Sequence, residues 1–435
     1  MISKYKYILA PLLLLVICLF INTAFFIKYR HYPLSPDSIV YKNIALAIIN
    51  PSATSLNGDI FVNITPGYPA FIAIIYKVFG QDDSYVYLFQ IILSLLSVLL
   101  FFKIMLSVTK ENYLISFFIT FFFTIYYPVW AFSILIMMEI ITIFVLLISI
   151  YFFQKYCDDK LNKYLYLFII LFSILIFINN RFIFHFSFIL VFLFFILRKK
   201  PGGIIVLSKA VLCFILILSP WFVREYTIYK QPVLFTPFWN NAAYNLFSFP
   251  PRINVETSLE NEIKYFKGLP VTFEYYKQEI KNARGPSYAE GFKIDDYKRL
   301  ISRYNPQNKL GVYFYRLRWF FIPISFHYEI LGSTDKRLVL PSNINKLITG
   351  LLNLIPILIL SLIGVFFAFK NNNIFARFLS FLFISHIVLH VYINFVDRYR
   401  HTILPVIYLL AGYGLMELLK YLSQYSKLSF IKKII

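Results

Sequence analysis

Two acidic residues stand out in this sequence because each lies beside or within a long apolar stretch. Asp37 follows the first such stretch, in the segment SPDSIVY, and Glu139 interrupts another, in the segment IMMEI. A positioned carboxylate can take a proton from a hydroxyl or amine as that group attacks an electrophilic carbon. Both residues are therefore candidate catalytic groups.

Each acid also has a plainer interpretation. Pro36 can begin a helix, and positions 37 and 41 then share one face, so Asp37 could point into a cavity beside Tyr41. Asp37 could equally cap that helix or lie in solvent. Glu139 sits about one turn inside a predicted membrane span, where an ionisable group is costly and is expected to face the bundle interior. Its alternative role is a structural partner for a basic residue such as Arg181.

Several basic residues near the ends of apolar stretches could together bind an anion. They are Arg181 in NNR, Arg224 in PWFVREY, and Arg398 and Arg400 in DRYR. A guanidinium binds phosphate through a planar fork of donors, and Lys42 could join the group. Alternatively, each long basic side chain simply reaches from a helix end to the membrane interface.

The composition excludes a soluble globular protein. Apolar residues make up 59% of the 435 residues, and the mean hydropathy is +0.69. A helix needs ~20 apolar residues to cross a bilayer, where every backbone polar group requires an internal partner. We predict an all-α polytopic membrane bundle of about ten transmembrane helices, over residues 7–27, 85–107, 113–131, 134–154, 163–179, 182–198, 204–222, 346–368, 374–394 and 402–422.

The distribution of Lys and Arg predicts the orientation of these spans. Short basic loops fall on one side if the spans alternate, which makes that side cytoplasmic and places both termini there. The net charge of +21 is thus explained by topology, and no nucleic-acid partner is expected. The outer side receives residues 28–84 and the long stretch 223–345. All the polar motifs above fall on this side, which predicts one extracytoplasmic site.

The two outer segments differ in character. Residues 66–80 are apolar but too short to span, which indicates a re-entrant or interfacial helix within the first outer loop. Residues 223–345 contain several Pro and Gly and predict an irregular, partly helical cap over the bundle. The sequence shows no repeat or domain boundary, so residues 1–435 are expected to form a single unit. We expect Tyr41, Tyr68 and Tyr399 to line the cavity at this side.

The sequence gives little support for a metal or cofactor. The three cysteines are scattered and match neither a metal site nor a disulfide framework. His386 and His390 are four residues apart and share a helix face, but no third ligand has fitting spacing. Hydrogen bonds between helices are the favoured role for these histidines.

Taken in order, the motifs resemble a known family. They comprise PDS and Tyr after the first span, PGYPAFIAIIYKVFG, an acid early in the fourth span, NR between two spans, PWFVREY before the large outer loop, and RYRHTILPVIYLLAGYGL near the end. This order is similar to that of the polytopic glycosyltransferases of the GT-C fold. More narrowly, it resembles the bacterial branch related to protein O-mannosyltransferases (glycosyltransferase family 39) and the lipid A aminoarabinose transferase.

The resemblance implies an inverting transfer of a sugar from a polyprenyl-phosphate carrier to a lipid, glycan or protein acceptor. It implies that Asp37 is the general base and Glu139 a second acid near the site. Many relatives have Asp-Glu where this chain has Asp37-Ser38, so an adjacent second acid is missing here. The arginines and Lys42 would hold the donor phosphate, and no metal is expected.

Two other functions remain open at this stage. A glycan polymerase or ligase is also multi-span with a large outer loop, but it would use diphosphate-linked chains and would not depend on an acid in the first loop. A transporter or flippase for a lipid-linked sugar would need no base. Such proteins usually place broken helices or paired polar residues near the middle of the membrane.

Overall fold

The computed structural model describes residues 2–30, 34, 36–51, 64–232, 234–235, 313, 317, 320, 352–392 and 398–425. Within these ranges the regular structure is helical. The helices are α1 (Ile2–Tyr29), α2 (Pro36–Ile49), α3 (Gly67–Phe79), α4 (Asp83–Val108), α5 (Tyr113–Ile125), α6 (Tyr127–Trp130), α7 (Glu139–Asp159), α8 (Asn162–Ile178), α9 (Phe182–Leu197), α10 (Gly203–Tyr229), α11 (Ile355–Lys370), α12 (Ile374–Tyr392), α13 (Arg398–His401) and α14 (Leu404–Tyr425), with a 3₁₀ turn over Ala131–Ile134.

The predicted all-α polytopic bundle is confirmed. Seven described helices are long and apolar enough to cross a membrane: α1, α4, α7, α10, α11, α12 and α14. Helices α5, α8 and α9 are apolar but shorter, and they coincide with the other predicted spans. The remaining short apolar helix, α3, falls where the sequence predicts a re-entrant or interfacial helix.

The spans alternate in direction and give the bundle two different ends. We call the end that carries α2, α3, α6 and α13 the polar end, because the predicted acids and arginines lie there. We call the other the basic end; it carries the turns after α4, α7, α9 and α11, where Lys110, Lys160, Lys200 and Lys370 occur. Lysines at this end contact aromatic rings, as Lys103 does over Tyr151 at 4.7 Å, which suits basic side chains at a membrane interface.

The junction between α5 and α7 corrects the predicted spans 113–131 and 134–154. Helix α5 ends at Ile125, and α7 begins only at Glu139. Residue 126 and residues 129–138 are buried, but they do not continue a span. Side chains form hydrogen bonds with backbone carbonyls of this segment and of the last turn of α5. Trp130 Nε1 donates to the Thr124 carbonyl at 2.7 Å, and a glutamine from α4 binds two further carbonyls. Glu139 is therefore the first residue of its helix and not one turn inside it.

The end of α10 corrects the start of the predicted outer segment 223–345. The helix continues to Tyr229 and stops where Lys230 adopts a left-handed conformation with φ 53°. Arg224 thus belongs to the last turns of a spanning helix. The rest of the predicted cap lies outside the described residues, apart from a few isolated positions such as Phe320.

Helices α11 and α14 pack closely through glycines. A Cβ added at Gly364 would collide with the Leu410 carbonyl oxygen, and one added at Gly414 would collide with the Leu360 carbonyl oxygen. Without a hydrophobic force between helices in lipid, small residues of this kind allow the backbones to approach and pack. This contact anchors α14, which directly follows the RYRH helix of the polar end.

Gly414→Ala should destabilise the protein by about 1–3 kcal/mol, because the added methyl meets backbone atoms that cannot move aside. The change is measured as a fall in the thermal unfolding temperature in detergent or nanodiscs. Gly412→Ala is the matched control on the same helix, since its Cβ would clash with the flexible Met105 side chain and would otherwise make only an ordinary contact with Ile119. Equal unfolding temperatures for the two variants would contradict the close packing.

Candidate active site

Asp37 lies in the first turn of α2, which begins at Pro36 as the sequence predicts. Its side chain is exposed, whereas Tyr41, one turn later, is 7% exposed. The Tyr41 ring packs edge-on against Tyr68 of α3, with 4.9 Å between the ring centroids. The carboxylate is therefore accessible at the polar end, one helical turn from a buried aromatic pair.

Tyr68 links this helix to the second acid. The ring is fully buried, and its hydroxyl donates to Gln90 Oε1 of α4 at 2.9 Å. Glu139 is also fully buried and lies within electrostatic range of the Tyr68 hydroxyl. Tyr41 and Tyr68 thus form a packed layer that connects α2, which carries the exposed acid, with the surroundings of the buried acid.

Gln90 determines where Glu139 sits. The amide nitrogen donates to the carbonyls of Ser133 at 3.0 Å and Leu135 at 2.7 Å, while the amide oxygen accepts the Tyr68 hydroxyl. One side chain thereby fixes both α3 and the segment that precedes Glu139. Sequence analysis missed this residue. Its signal is a Gln in an apolar span that shares a helix face with Ser94 and Ser97.

Gln90→Leu should loosen the segment 131–138 locally, because two buried carbonyls lose their donor at about 1–3 kcal/mol each. Hydrogen–deuterium exchange followed by mass spectrometry should show faster exchange in peptides that cover this segment. Ser94→Ala is the control, since the Ser94 hydroxyl donates only to the Gln90 carbonyl of its own helix at 2.9 Å. Unchanged exchange in Gln90→Leu would contradict the assigned role.

Helix α3 also docks against the end of α8. Thr65 Oγ1 donates to the Ile178 carbonyl at 2.9 Å, and Gly67 lies so close that a Cβ there would come within 2.6 Å of the Phe177 carbonyl oxygen. The chain reaches Arg181 three residues after Ile178. The tyrosine layer and the arginines are consequently built on neighbouring elements.

Two predicted phosphate ligands are buried at the polar end. Arg181 precedes α9 and is 6% exposed, and Arg400 of α13 is 1% exposed. Arg400 Nη1 donates to the Phe320 carbonyl at 2.6 Å. Both guanidiniums lie within electrostatic range of one side chain, His386 of α12. Arg398 and Tyr399 belong to the same short helix as Arg400, but their side chains lie outside the described part of the chain.

Arg224 lies at the polar end, near the end of α8. Its Nη1 forms an ion pair with Glu225 Oε1 at 2.7 Å, and its guanidinium lies 4.6 Å from the Trp221 ring centroid. Trp221 in turn meets Phe177 at the end of α8, at 6.3 Å between ring centroids. Arg224 therefore lies beside the contact between α3 and α8, and its charge is balanced by the buried carboxylate of Glu225.

Lys42 belongs to a different contact. Its ammonium forms an ion pair with Asp83 Oδ2 at 2.9 Å, and Asp83 also accepts a hydrogen bond from the Tyr76 hydroxyl. The pair borders an open cavity of about 370 Å³ between α2 and the start of α4, lined by Arg30, Leu34, Lys42, Gln81, Asp82, Asp83, Ser84 and Tyr87. Lys42 would have to leave Asp83 to take part in phosphate binding.

The predicted inter-helix role of His386 is confirmed. Its Nδ1 lies 3.2 Å from Nε2 of His185 on α9, and His185 Nδ1 lies 2.7 Å from Ser385 Oγ. His185 was missed by sequence analysis, because a single His in a Phe-rich helix gives no periodic signal.

Among the described residues, no group of three or more His, Cys, Asp or Glu side chains could hold a metal ion.

This arrangement has a clear chemical capacity. Buried guanidiniums attract an anion strongly, because the low dielectric of the interior weakens screening. An exposed carboxylate on a neighbouring element can accept a proton from a second reactant. The polar end thus combines an anion-binding region with acid–base groups.

No protein-family model matches this chain, and no curated protein matches it. Among solved structures, the fold is similar to the crystal structure of ArnT from Cupriavidus metallidurans bound to undecaprenyl phosphate. The TM-score is 0.40 and the identity 12%, over 96% of this chain and 81% of that chain.

Proposed function

We propose that this protein is an integral-membrane, inverting glycosyltransferase. It moves a sugar from a polyprenyl-phosphate donor to a lipid, glycan or protein acceptor on the outer side of the cytoplasmic membrane. Asp37 accepts the proton, and Arg181 and Arg400 hold the donor phosphate, with Arg224 and Arg398 as further cations; Lys42 would join them on leaving Asp83. Glu139 is the buried second acid.

The observation that carries this proposal is the burial of Arg181 and Arg400 at the polar end, where both guanidiniums lie within electrostatic range of His386. Placing guanidinium groups in a membrane-protein interior is costly, so such residues commonly mark a substrate or ion site. An anionic phosphate would offset the cost through charge-assisted hydrogen bonds. The exposed carboxylate of Asp37 and the motif order described above favour group transfer over simple anion binding.

The proposed reaction balances without a cofactor. The acceptor oxygen or nitrogen attacks the anomeric carbon while its proton passes to the Asp37 carboxylate. The bond from the anomeric carbon to the phosphate oxygen breaks, and its electron pair stays on the polyprenyl phosphate. Arg181 and Arg400 stabilise that growing charge, so no general acid is needed. One direct displacement inverts the anomeric centre and forms no covalent sugar–enzyme intermediate.

The outer location follows from the charge distribution. Lys and Arg in the short loops concentrate at the basic end, which the positive-inside rule assigns to the cytoplasm. The polar end then faces away from the cytoplasm, with both termini inside. A lipid-linked donor explains why the site is built at a helix-bundle end, where a polyprenyl chain can remain in the bilayer.

The decisive experiment compares donors in a reconstituted system. Purified protein in nanodiscs is given undecaprenyl-phosphate sugars or diphosphate-linked glycans, and release of free undecaprenyl phosphate or diphosphate is measured with membrane extract as acceptor source. We expect turnover of a monophosphate donor. Turnover of only the diphosphate-linked chains would favour a polymerase or ligase. Movement of the lipid-linked sugar across the membrane of proteoliposomes, without formation of a glycosylated product, would favour a flippase.

A further inference from the structure

A buried hydrogen-bonded row joins α9 and α12 beside the two arginines. Ser385 Oγ donates to the Leu382 carbonyl of its own helix at 2.9 Å. His185 Nδ1 lies 2.7 Å from the same oxygen, and His185 Nε2 lies 3.2 Å from His386 Nδ1. All three residues are buried. The row therefore runs Leu382 carbonyl, Ser385, His185, His386.

The row fixes which nitrogen of each ring carries hydrogen. Because the Ser385 hydroxyl gives its proton to Leu382, its oxygen must accept one from His185 Nδ1. The neutral His185 ring then has an acceptor at Nε2, which must receive a hydrogen from His386 Nδ1. Nε2 of neutral His386 is consequently a lone-pair acceptor.

This last acceptor has a distinctive environment. His386 is 3% exposed, and nowhere in the described part of the chain does a hydrogen-bond partner reach its Nε2. The ring is flanked by Phe320, at 6.0 Å between ring centroids, and lies within electrostatic range of Arg181, Arg400 and His390. A buried acceptor left without a donor costs about 1–3 kcal/mol, so such a group commonly has a function.

We propose that His386 Nε2 accepts a hydrogen bond from a hydroxyl of the donor sugar and thereby helps to select that sugar. This inference rests on the proposed function, which places the donor phosphate at Arg181 and Arg400. The Ser385–His185 row holds His386 in the accepting tautomer. His386 is thus a specificity residue, while His185 and Ser385 are positioning residues.

A sugar hydroxyl fits this site better than a phosphate oxygen. The phosphate of a polyprenyl-phosphate sugar is a diester, which carries negative charge and has no proton to donate. Its negatively charged oxygens would be repelled by the lone pair of Nε2 and would pair with the guanidiniums instead. Each sugar hydroxyl carries a hydrogen that Nε2 can accept. A site built to pair with a hydroxyl also rejects analogues that lack it.

The test compares undecaprenyl phosphate with the same lipid linked to a sugar. Binding of undecaprenyl phosphate and of undecaprenyl phosphate linked to glucose, mannose, galactose or arabinose is measured by native mass spectrometry in nanodiscs. His386→Phe should raise the Kd of the sugar-linked lipid that the wild type binds by roughly five- to tenfold. It should leave the Kd of undecaprenyl phosphate unchanged. The Kd of each variant is divided by the wild-type Kd for the same lipid. The difference in phosphate charge between the lipids therefore does not affect the comparison.

Two further variants keep the inference falsifiable if His386→Phe does not fold. His386→Gln can present an amide oxygen near the Nε2 position and should recover part of the selectivity. Ser385→Ala frees the tautomer of His185 and should cause a smaller loss in the same direction. Equal effects on both lipids, or no effect from any folded variant, would overturn the assignment. A wild type that binds neither lipid would instead overturn the proposed function.

Discussion

Asp37→Asn should fold normally and transfer sugar about 100- to 10,000-fold more slowly than the wild type, because a positioned general base contributes that much to the rate. The substitution keeps the size of the side chain and removes its ability to accept the acceptor's proton. The side chain is exposed in the first turn of α2, so little structural cost is expected. The measurement is the rate of undecaprenyl phosphate release under saturating donor.

The control for this prediction removes a carboxylate at the other end of the bundle. Glu417 pairs with Lys420 at 2.7 Å at the basic end, so Glu417→Gln should leave transfer near the wild-type rate. Binding of undecaprenyl phosphate to Asp37→Asn should also stay close to wild type. A folded Asp37→Asn variant that transfers sugar at the wild-type rate would refute the catalytic role.

Arg400→Gln and Arg181→Gln should each weaken binding of undecaprenyl phosphate by about 10- to 100-fold, the value of a hydrogen bond to a charged partner. Glutamine retains an N–H donor, so the Phe320 carbonyl that Arg400 contacts can still be satisfied. Arg400→Lys and Arg181→Lys should weaken this binding less, since lysine keeps the positive charge although it lacks the planar fork of donors. Binding is measured in nanodiscs by native mass spectrometry.

Arg198→Gln is the matched control for the arginine variants. Its guanidinium lies 4.7 Å from the Phe195 ring centroid at the basic end, so the charge change is the same but the location is opposite. We expect unchanged lipid-phosphate binding in this variant. An equal loss of undecaprenyl phosphate binding in Arg198→Gln and Arg400→Gln would mean that the lipid responds to the overall charge of the protein and not to a site at the polar end.

The helix pattern was predictable because a bilayer allows few solutions. Ten apolar windows predicted helices, and a helix occurs at each of them, since hydrocarbon forces the backbone to bond within its own segment. The error came at residues 126–138. Their composition is as apolar as a span, but carbonyls of that segment are bonded to a side chain from α4, a tertiary contact that no hydropathy window contains.

The candidate site was predictable only in part. Placing Arg181 and Arg400 at one end follows from the alternation of spans, and in the structure both lie within electrostatic range of His386. The partnership of His185 with His386 joins residues far apart in sequence, which residue spacing cannot indicate. Lys42 was grouped with the arginines because it lies near Asp37 in sequence, yet its ammonium pairs with Asp83.

The most direct measurement is an experimental structure of the protein in nanodiscs with bound undecaprenyl phosphate. We expect the lipid phosphate within hydrogen-bond distance of Arg181 and Arg400, with the Asp37 carboxylate facing the space where the sugar's anomeric carbon would lie. A phosphate bound at the basic end, or a carboxylate directed into lipid away from that phosphate, would contradict it.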